Sequence, residues 1–434
     1  MSTQPLPGFR DFYPAELAFR NYIFEAWRRV AGRYGFEEFD GPPLEPLELY
    51  TAKSGDEIVG QLYNFTDKGG REVSLRPELT PTVARMVAAR AGGMKKPIRW
   101  FSIGQMFRYE RQQKGRLKEF YQLNCDLIGE PGPLADAEMI ALAIDMMRGF
   151  GLGPDAVRVR LSDRRVLQAL LRGAGVTVEQ LPAAYGVIDK LERMKPEQLA
   201  ELREGADPRF AAGVGGRIIE VASLRGWPAV AAALAALPGG ADAGAPFRAT
   251  LDALEAMGLG GFLEVDMTIV RGLAYYTGTV FELFDAGRSL RAIAGGGRYD
   301  GLLELLGGVD LPAVGFAIGD VVLGELLRER GLAPVAESSI DAFVAGVTDD
   351  DLPYVLHVAH DLRDAGIRVE FALRADGVGK QLKLADARKA AFAIVIGPDD
   401  RARGEVQLKD LRAKTQRAVA AAALGAELTA ALAS

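Results

Sequence analysis

The chain has 434 residues, of which 49% are hydrophobic and 25% are charged, and its 52 Lys and Arg against 58 Asp and Glu give a formal net charge of −6. This composition is typical of a folded globular protein of roughly three structural units, and it excludes a disordered or fibrous chain. The acidic average also argues against a basic, nucleic-acid-binding surface spread over the whole molecule.

The first part of the chain, residues 1–163, is predicted to alternate helices with strands. The spacing of apolar residues predicts helices over 14–35, 80–93 and 135–150, short strands between 37 and 78, and two long strands over 97–110 and 120–130. A polar loop joins the two long strands, and this pattern predicts an antiparallel hairpin.

The composition changes after residue 163. Short Ala- and Leu-rich helices are expected over 164–262, with a flexible connection at 239–246, where Gly and Pro are dense. Strand character returns over 263–333. Residues 1–163 and 263–333 together predict an antiparallel sheet flanked by helices, and residues 164–262 predict a helical insertion, so the predicted fold is α+β. Residues 338–434 alternate strands with helices, which predicts a separate α/β domain with largely parallel strand pairing.

The lone cysteine, Cys125, has no partner for an internal disulfide, which is typical of a protein from a reducing compartment. The N-terminal segment has no apolar stretch of signal-peptide length, and no run of about 18 uncharged apolar residues occurs in the chain. We therefore expect a cytoplasmic protein without a membrane-spanning segment. The only histidines, His357 and His360, favour an exposed helix face over a metal site, because further ligands are missing.

The hairpin carries a local reversal of charge. Eight basic side chains lie between Lys95 and Lys118, against a single acid, Glu110. Alternation along the strands puts Arg108 and Glu110 on one face of the first strand, and on one face of the second strand it puts Gln122, Asn124 and Asp126. Such a polar sheet face is costly to bury without a polar ligand. A solvated hairpin face is the alternative.

Two further segments place polar side chains beside turns. Residues 74–81 put Glu78 and Thr80 at a strand-to-helix junction, where helix capping would equally explain the threonine. Residues 269–278 put Arg271 and two tyrosines among glycine turns. An ordinary hairpin would explain the glycines there, but it would not explain the arginine.

Taken in order, these segments resemble histidyl-tRNA synthetases, which are class II aminoacyl-tRNA synthetases, over nearly the whole chain. The matching segments are GFRDFYP (8–14) at the N-terminal signature, YGFEEFDGPPLE (34–45) at motif 1, SLRPELTP (74–81), FRYERQQKGRLKEFYQLNCDLIG (107–129) at motif 2, VRGLAYYTGTVFE (270–282) at the histidine-specific motif and GKQLKLAD (379–386) in the C-terminal domain. The resemblance implies a catalytic core formed by residues 1–163 and 263–333, the insertion 164–262, and an anticodon-binding domain over 338–434.

The resemblance also implies the reaction. In this family the carboxylate of histidine attacks the α-phosphate of ATP, giving histidyl-adenylate and pyrophosphate, and the histidyl group then passes to tRNA(His). Fixed cations around the phosphates would stabilise the charge of the transition state. The implied cofactors are ATP and Mg²⁺, no metal-binding residue of the protein is implied, and the motif 1 likeness implies a homodimer.

Residue roles follow from the same resemblance. Arg271 and Arg108 are the implied catalytic residues. The implied histidine-binding residues are Glu78, Thr80, Gln122, Asp126, Tyr275 and Tyr276. The implied ATP-binding residues are Arg108, Glu110, Arg116, Phe120, Gly297 and Arg271. Gly297 ends a glycine triplet that would let a ligand approach the backbone, although the sequence lacks the ending of a P-loop.

Two positions depart from the family pattern. Asp126 stands where the family usually has Glu, and Val322 stands where motif 3 usually ends in an arginine, so Arg328 or Arg330 from the following helix is expected to compensate. The missing arginine leaves two alternatives to a histidine–tRNA ligase. One is a non-catalytic paralogue such as the regulatory subunit of ATP phosphoribosyltransferase, and the other is a histidine-activating enzyme with an acceptor other than tRNA. The other arginines and the C-terminal domain favour the ligase.

Overall fold

The computed structural model describes residues 3–51, 60–110, 115–205, 207–271, 275–334, 340–374 and 376–433. The chain divides into two compact units, residues 1–334 and 335–434. Arg111 and Lys114 of the predicted basic hairpin, and residues 272–274 of the histidine-specific motif, lie outside the described residues.

A large, mostly antiparallel sheet forms the centre of the first unit. The strands of this unit are β1 (Glu37–Glu38), β2 (Leu44–Pro46), β3 (Tyr63–Thr66), β4 (Glu72–Leu75), β5 (Ile98–Phe107), β6 (Glu119–Ile128), β7 (Val157–Asp163), β8 (Leu263–Val265), β9 (Thr279–Asp285), β10 (Ala294–Arg298) and β11 (Ala313–Gly319). Eight of them stand in the order β1-β5-β6-β11-β10-β9-β7-β8, and β2-β4-β3 form a small second sheet. Apart from β1–β5 and β7–β8, the neighbours in the large sheet are antiparallel, so the predicted antiparallel sheet is confirmed.

Helices cover one face of this sheet. The helices of the unit are α1 (Pro14–Arg33), α2 (Leu47–Thr51), α3 (Thr80–Ala88), α4 (Pro133–Arg148), α5 (Arg164–Gly173), α6 (Leu181–Lys190), α7 (Pro196–Arg203), α8 (Val214–Ala222), α9 (Trp227–Ala235), α10 (Gly240–Ala256), α11 (Leu302–Gly307) and α12 (Asp320–Glu329). Apolar residues of α1, α4 and α12 share one core with the buried face of β6, which carries Leu123, Cys125 and Leu127. Side chains alternate along a strand, so the opposite face of β6 presents the polar residues, as predicted: Gln122, Asn124 and Asp126.

Helices α5 to α10 lie between β7 and β8 in the chain. The predicted flexible connection at 239–246 is wrong, because nearly all of it belongs to α10, with Pro246 inside the helix. The small residues there serve close packing rather than flexibility. A Cβ atom at Gly244 would lie 3.2 Å from the ring of Trp227, so the glycine lets α10 approach α9. The glycine triplet 295–297 is part of strand β10.

The second unit is an α/β domain. Its elements are β12 (Ala342–Gly346), α13 (Leu352–Asp364), β13 (Val369–Phe371), α14 (Val378–Ala387), β14 (Phe392–Ile396), α15 (Pro398–Ala402), β15 (Glu405–Asp410), β16 (Thr415–Ala420) and α16 (Leu424–Ala433). Strands β13-β12-β14 are parallel as predicted, whereas β15 and β16 continue the sheet as an antiparallel hairpin that the sequence pattern missed. His357 and His360 are exposed on α13, each beside an aspartate one turn later.

Across the described residues, every helix falls short of the length or the apolarity needed to cross a membrane.

Candidate active site

Two adjoining cavities lie on the polar face of the large sheet. The larger has a volume of about 650 Å³ and the smaller about 60 Å³. Both are lined by a common set of residues: Arg108, Gln122, Arg271, Gly295 and Ala317. Arg108 and Arg271 therefore lie where the two cavities meet, so a group bound at this junction would face both arginines.

The smaller cavity ends at a buried carboxyl group. Tyr299 donates a hydrogen bond from its hydroxyl group to Oδ1 of Asp126. The other oxygen, Oδ2, is buried and has no hydrogen-bond partner among the described residues. Burial raises the pKa of Asp126 to about 7, and the Tyr299 hydrogen bond opposes this effect. The free oxygen is an acceptor that a bound N–H group would satisfy.

A second carboxyl group, Glu78, lies at the N-terminal end of α3 in the same cavity. Burial raises its pKa, against the opposing effects of Arg108, of a hydrogen bond with Tyr275 and of Arg271. Arg108 is held in place on this side, because its Nε donates a hydrogen bond to the carbonyl oxygen of Pro77 at 2.9 Å. The cavity thus combines two carboxyl groups with two arginines.

Arg271 is tightly positioned. Its backbone has φ of 48°, in the left-handed region that side-chain-bearing residues rarely adopt. Nη2 of Arg164 donates a hydrogen bond to its carbonyl oxygen at 2.9 Å, and its own Nη1 donates to Oε1 of Glu282 at 3.1 Å. Burial lowers the pKa of Arg271, but Tyr276 and Glu282 more than offset this, so the pKa stays above its ordinary value and the guanidinium stays charged.

The larger cavity has a cationic wall contributed by several elements. Arg116 forms an ion pair with Glu110, with Nε and Oε2 2.9 Å apart, and the Arg108 guanidinium lies 5.3 Å from the centre of the Phe120 ring. The insertion contributes a further set of lining residues: Ile188, Asp189, Glu192 and Arg193. Arg160 and Arg291 complete this wall.

The structure brings nearly all of the implied site residues together. The following line one or both cavities: Glu78, Thr80, Arg108, Glu110, Arg116, Phe120, Gln122, Asp126, Arg271, Tyr275 and Tyr276. Gly297 is the exception, because it lines neither cavity. A Cβ atom there would lie 2.9 Å from the Tyr276 ring, so this glycine lies on the far side of that ring from the smaller cavity. Gly295 is the triplet residue that lines both.

The charges predicted around the nucleotide also need correction. Val322 lines the larger cavity, but Arg328 and Arg330 do not, and the Arg328 guanidinium lies over the ring of Phe19 at 4.3 Å. The expected compensation from these two arginines is therefore wrong. Of the predicted basic hairpin, Arg99 points elsewhere, since it pairs with Glu138 on α4 at 2.8 Å.

Sequence reasoning missed several residues of the site. Tyr299 and Gly315 lie beside Asp126, and a Cβ atom at Gly315 would overlap its Oδ1 atom. Arg164 and Arg291 carried no sequence signal, because they belong to segments without a recognised motif. Gly297 ends the glycine triplet named above, and the tyrosine two residues later was the available sequence signal for Tyr299.

Comparisons with known proteins cover both compact units of the chain. A histidyl-tRNA synthetase family model matches residues 8–320, and an anticodon-binding domain model matches residues 340–430. A histidine–tRNA ligase of Opitutus terrae is 48% identical over 417 residues, which cover 95% of this chain and 95% of that protein. A histidine–tRNA ligase of Haloarcula marismortui is 41% identical, over 93% of this chain and 92% of that protein.

Two solved structures resemble the chain over more than nine tenths of its length. The crystal structure of histidyl-tRNA synthetase from Nostoc sp. PCC 7120 superposes with a TM-score of 0.82 at 26% identity, covering 99% of both chains. A Bacillus halodurans structure described as an ATP phosphoribosyltransferase regulatory subunit/histidyl-tRNA synthetase superposes with a TM-score of 0.75 at 22% identity, covering 92% of this chain and 99% of that one. At that identity the second structure supports the fold alone.

Proposed function

The chain belongs to the histidyl-tRNA synthetase family, and on this premise we propose how its own residues divide the reaction between the two cavities. Its activity is that of a histidine–tRNA ligase, which activates histidine with ATP and transfers it to tRNA. The observation that supports the division is the sharing of Arg108 and Arg271 by both cavities. The reacting carboxylate and the α-phosphate would meet at these two cations.

Histidine is proposed to occupy the smaller cavity. Glu78, Thr80 and Gln122 would hold its α-amino group, because a carboxylate and two neutral oxygens suit an ammonium ion. The free Oδ2 of Asp126 would accept the imidazole N–H, and Tyr275 and Tyr276 would line the ring. A ligand without that N–H would leave a buried acceptor unpaired, which is a strong source of specificity.

ATP is proposed to occupy the larger cavity. Phe120 would stack on the adenine, Glu110 would bind its polar edge and Arg116 would reach the terminal phosphates. A carboxylate oxygen of histidine attacks the α-phosphorus, the bond from that phosphorus to the β-phosphate oxygen breaks, and pyrophosphate leaves. Arg108 and Arg271 lie at the reacting centre, where they stabilise the negative charge of the transition state. A tRNA hydroxyl then attacks the acyl carbon, and AMP leaves.

The residues also fit a divalent cation that arrives with ATP, proposed to be Mg²⁺. The described His, Cys, Asp and Glu residues form no cluster of three or more that could hold a metal by themselves. Glu282 and Asp189 nevertheless line the larger cavity and would supply one or two oxygen ligands. Mg²⁺ commonly binds through one or two carboxylates together with substrate phosphates, and there it neutralises phosphate charge.

Four broader features belong to the same proposal. Residues 338–434 would bind the anticodon, residues 164–262 would form a distinct insertion between the two parts of the catalytic core, and motif 1 would contribute to a homodimer. A cytoplasmic location would fit tRNA charging. Sedimentation analysis and fluorescence microscopy of a tagged chain test the last two.

Histidine-dependent ATP–pyrophosphate exchange followed by charging of total tRNA tests the function. A ligase gives both activities. A non-catalytic paralogue gives neither, and an enzyme with another acceptor gives exchange alone. The relatives' names and the arginines in the cavity do not favour these two alternatives, and absence of exchange from folded protein would refute the proposal.

A further inference from the structure

Arg291 differs from the other arginines of the larger cavity. It lies on the connection between β9 and β10, lines the cavity and is exposed to solvent. The remaining arginines of this wall each pair with a carboxylate: Arg108 and Arg116 with Glu110, Arg160 with Asp266 and Glu192, Arg193 with Asp189, and Arg271 with Glu282. Among the described residues, Arg291 has no ion-pair partner.

Arg291 also lies close to other cations. Burial lowers its pKa, Arg116 and Arg193 lower it further, and only Glu110 opposes them. These arginines come from three separate segments of the chain. Like charges that converge in this way repel one another, and an anion entering from solvent would relieve that repulsion.

The neighbourhood of Arg291 includes the position of the missing motif 3 arginine. A Cβ atom placed at Gly115 would lie 3.7 Å from Cδ of Arg291 and 3.5 Å from Cγ2 of Val322. Both side chains therefore border the turn that carries Arg116. Oε2 of Glu325 would lie 4.0 Å from the same Cβ atom. Val322 carries no charge at this turn, whereas Arg291 supplies a guanidinium that has no ion-pair partner among the described residues.

We propose that Arg291 binds the outer phosphates of ATP together with Arg116 and so supplies the cation that position 322 lacks. The inference rests on the proposed function, which places the α-phosphate at Arg108 and Arg271. Arg291 lines only the larger cavity, away from that junction, and on the side of Arg116. The β- and γ-phosphates carry most of the charge of ATP, and a guanidinium binds phosphate oxygens with paired, charge-assisted hydrogen bonds.

Calorimetric titration with ATP and with AMP tests this assignment without requiring turnover. In Arg291→Ala, we expect the Kd for ATP to rise by about tenfold or more, the usual effect of losing a hydrogen bond to a charged group, and the Kd for AMP to change less than about twofold. Arg291→Lys keeps the charge without the fork of donors and should recover part of the loss.

Arg288→Ala is the matched control, because Arg288 lies on the same connection, pairs with Glu264 at 2.8 Å and does not line the cavity. It should bind both nucleotides as the wild type does. Equal ATP affinity in Arg291→Ala and wild type, or an equal loss for ATP and AMP, would overturn the inference while leaving the ligase function intact. A wild-type protein without histidine-dependent exchange would instead refute the proposed function. Because Arg291 and Arg288 are both exposed, thermal unfolding should show all three variants folded.

Discussion

Gly295 offers a direct test of the role proposed for Arg271. A Cβ atom at residue 295 would overlap Nη1 of the Arg271 guanidinium and lie 2.7 Å from its Cζ atom. Since non-bonded carbon atoms need about 3.5 Å, the guanidinium must move by roughly 1–2 Å in Gly295→Ala. This movement would break the 3.1 Å hydrogen bond to Glu282. A misplacement of about 1 Å can cost about 100-fold in rate, so we expect kcat for ATP–pyrophosphate exchange to fall by about 100-fold, or about 2.7 kcal/mol of activation free energy.

The fold should survive this change, because the atom that must yield is the far end of a flexible side chain rather than backbone. Exchange is measured at saturating ATP and histidine, and thermal unfolding is measured on the same samples. Gly301→Ala is the control, since a Cβ atom there meets nothing within 4 Å. Exchange within about threefold of wild type, at an unchanged Tm, would show that the position of the Arg271 guanidinium does not limit the reaction.

Three further predictions concern neighbouring groups. Arg271→Ala should abolish exchange while Tm stays near that of the wild type; exchange near the wild-type rate would contradict the assignment. Arg164→Gln loses the hydrogen-bond donor to the Arg271 carbonyl group and the contact with the Tyr185 ring, so it should lower kcat about tenfold with little change in KM. Arg172→Gln, on the exposed side of α5, is the control and should leave kcat unchanged. Burial raises the pKa of Asp126 to about 7. Its ionisation therefore costs stability as pH rises from about 4 to 7, and urea denaturation at pH 5 and pH 8 should show a larger loss of stability in the wild type than in Asp126→Asn; equal losses would contradict this.

The polar face of β6 could be predicted from the sequence, because strand alternation is a local property. Leu123, Cys125 and Leu127 enter the core, and the intervening polar residues face the cavities. The groups around Asp126 could not be predicted in this way. Tyr299 reaches it from 173 residues further along the chain, and Gly315 lies opposite it only through the register of β6 and β11.

In the insertion, the sequence led to a wrong prediction. Glycine, alanine and proline at 239–246 predicted flexibility, but the same small residues allow close helix packing once α9 lies against α10. Composition alone cannot distinguish these outcomes, because both require side chains of little volume. Nor could it show that Asp189, Glu192 and Arg193 of the insertion line the larger cavity.

The order of strands in the large sheet has a consequence for synthesis of the chain. One edge of β6 pairs with β5, which precedes it directly, but the other pairs with β11, which follows after about 185 residues. At roughly 5–20 residues per second, a ribosome needs about 10 to 40 s to make that stretch. During this interval the edge of β6 has no native partner, and an unpaired edge can join the strand of another chain. The nascent chain is therefore most exposed to misassociation while its insertion is being made, which is when a chaperone would protect it most.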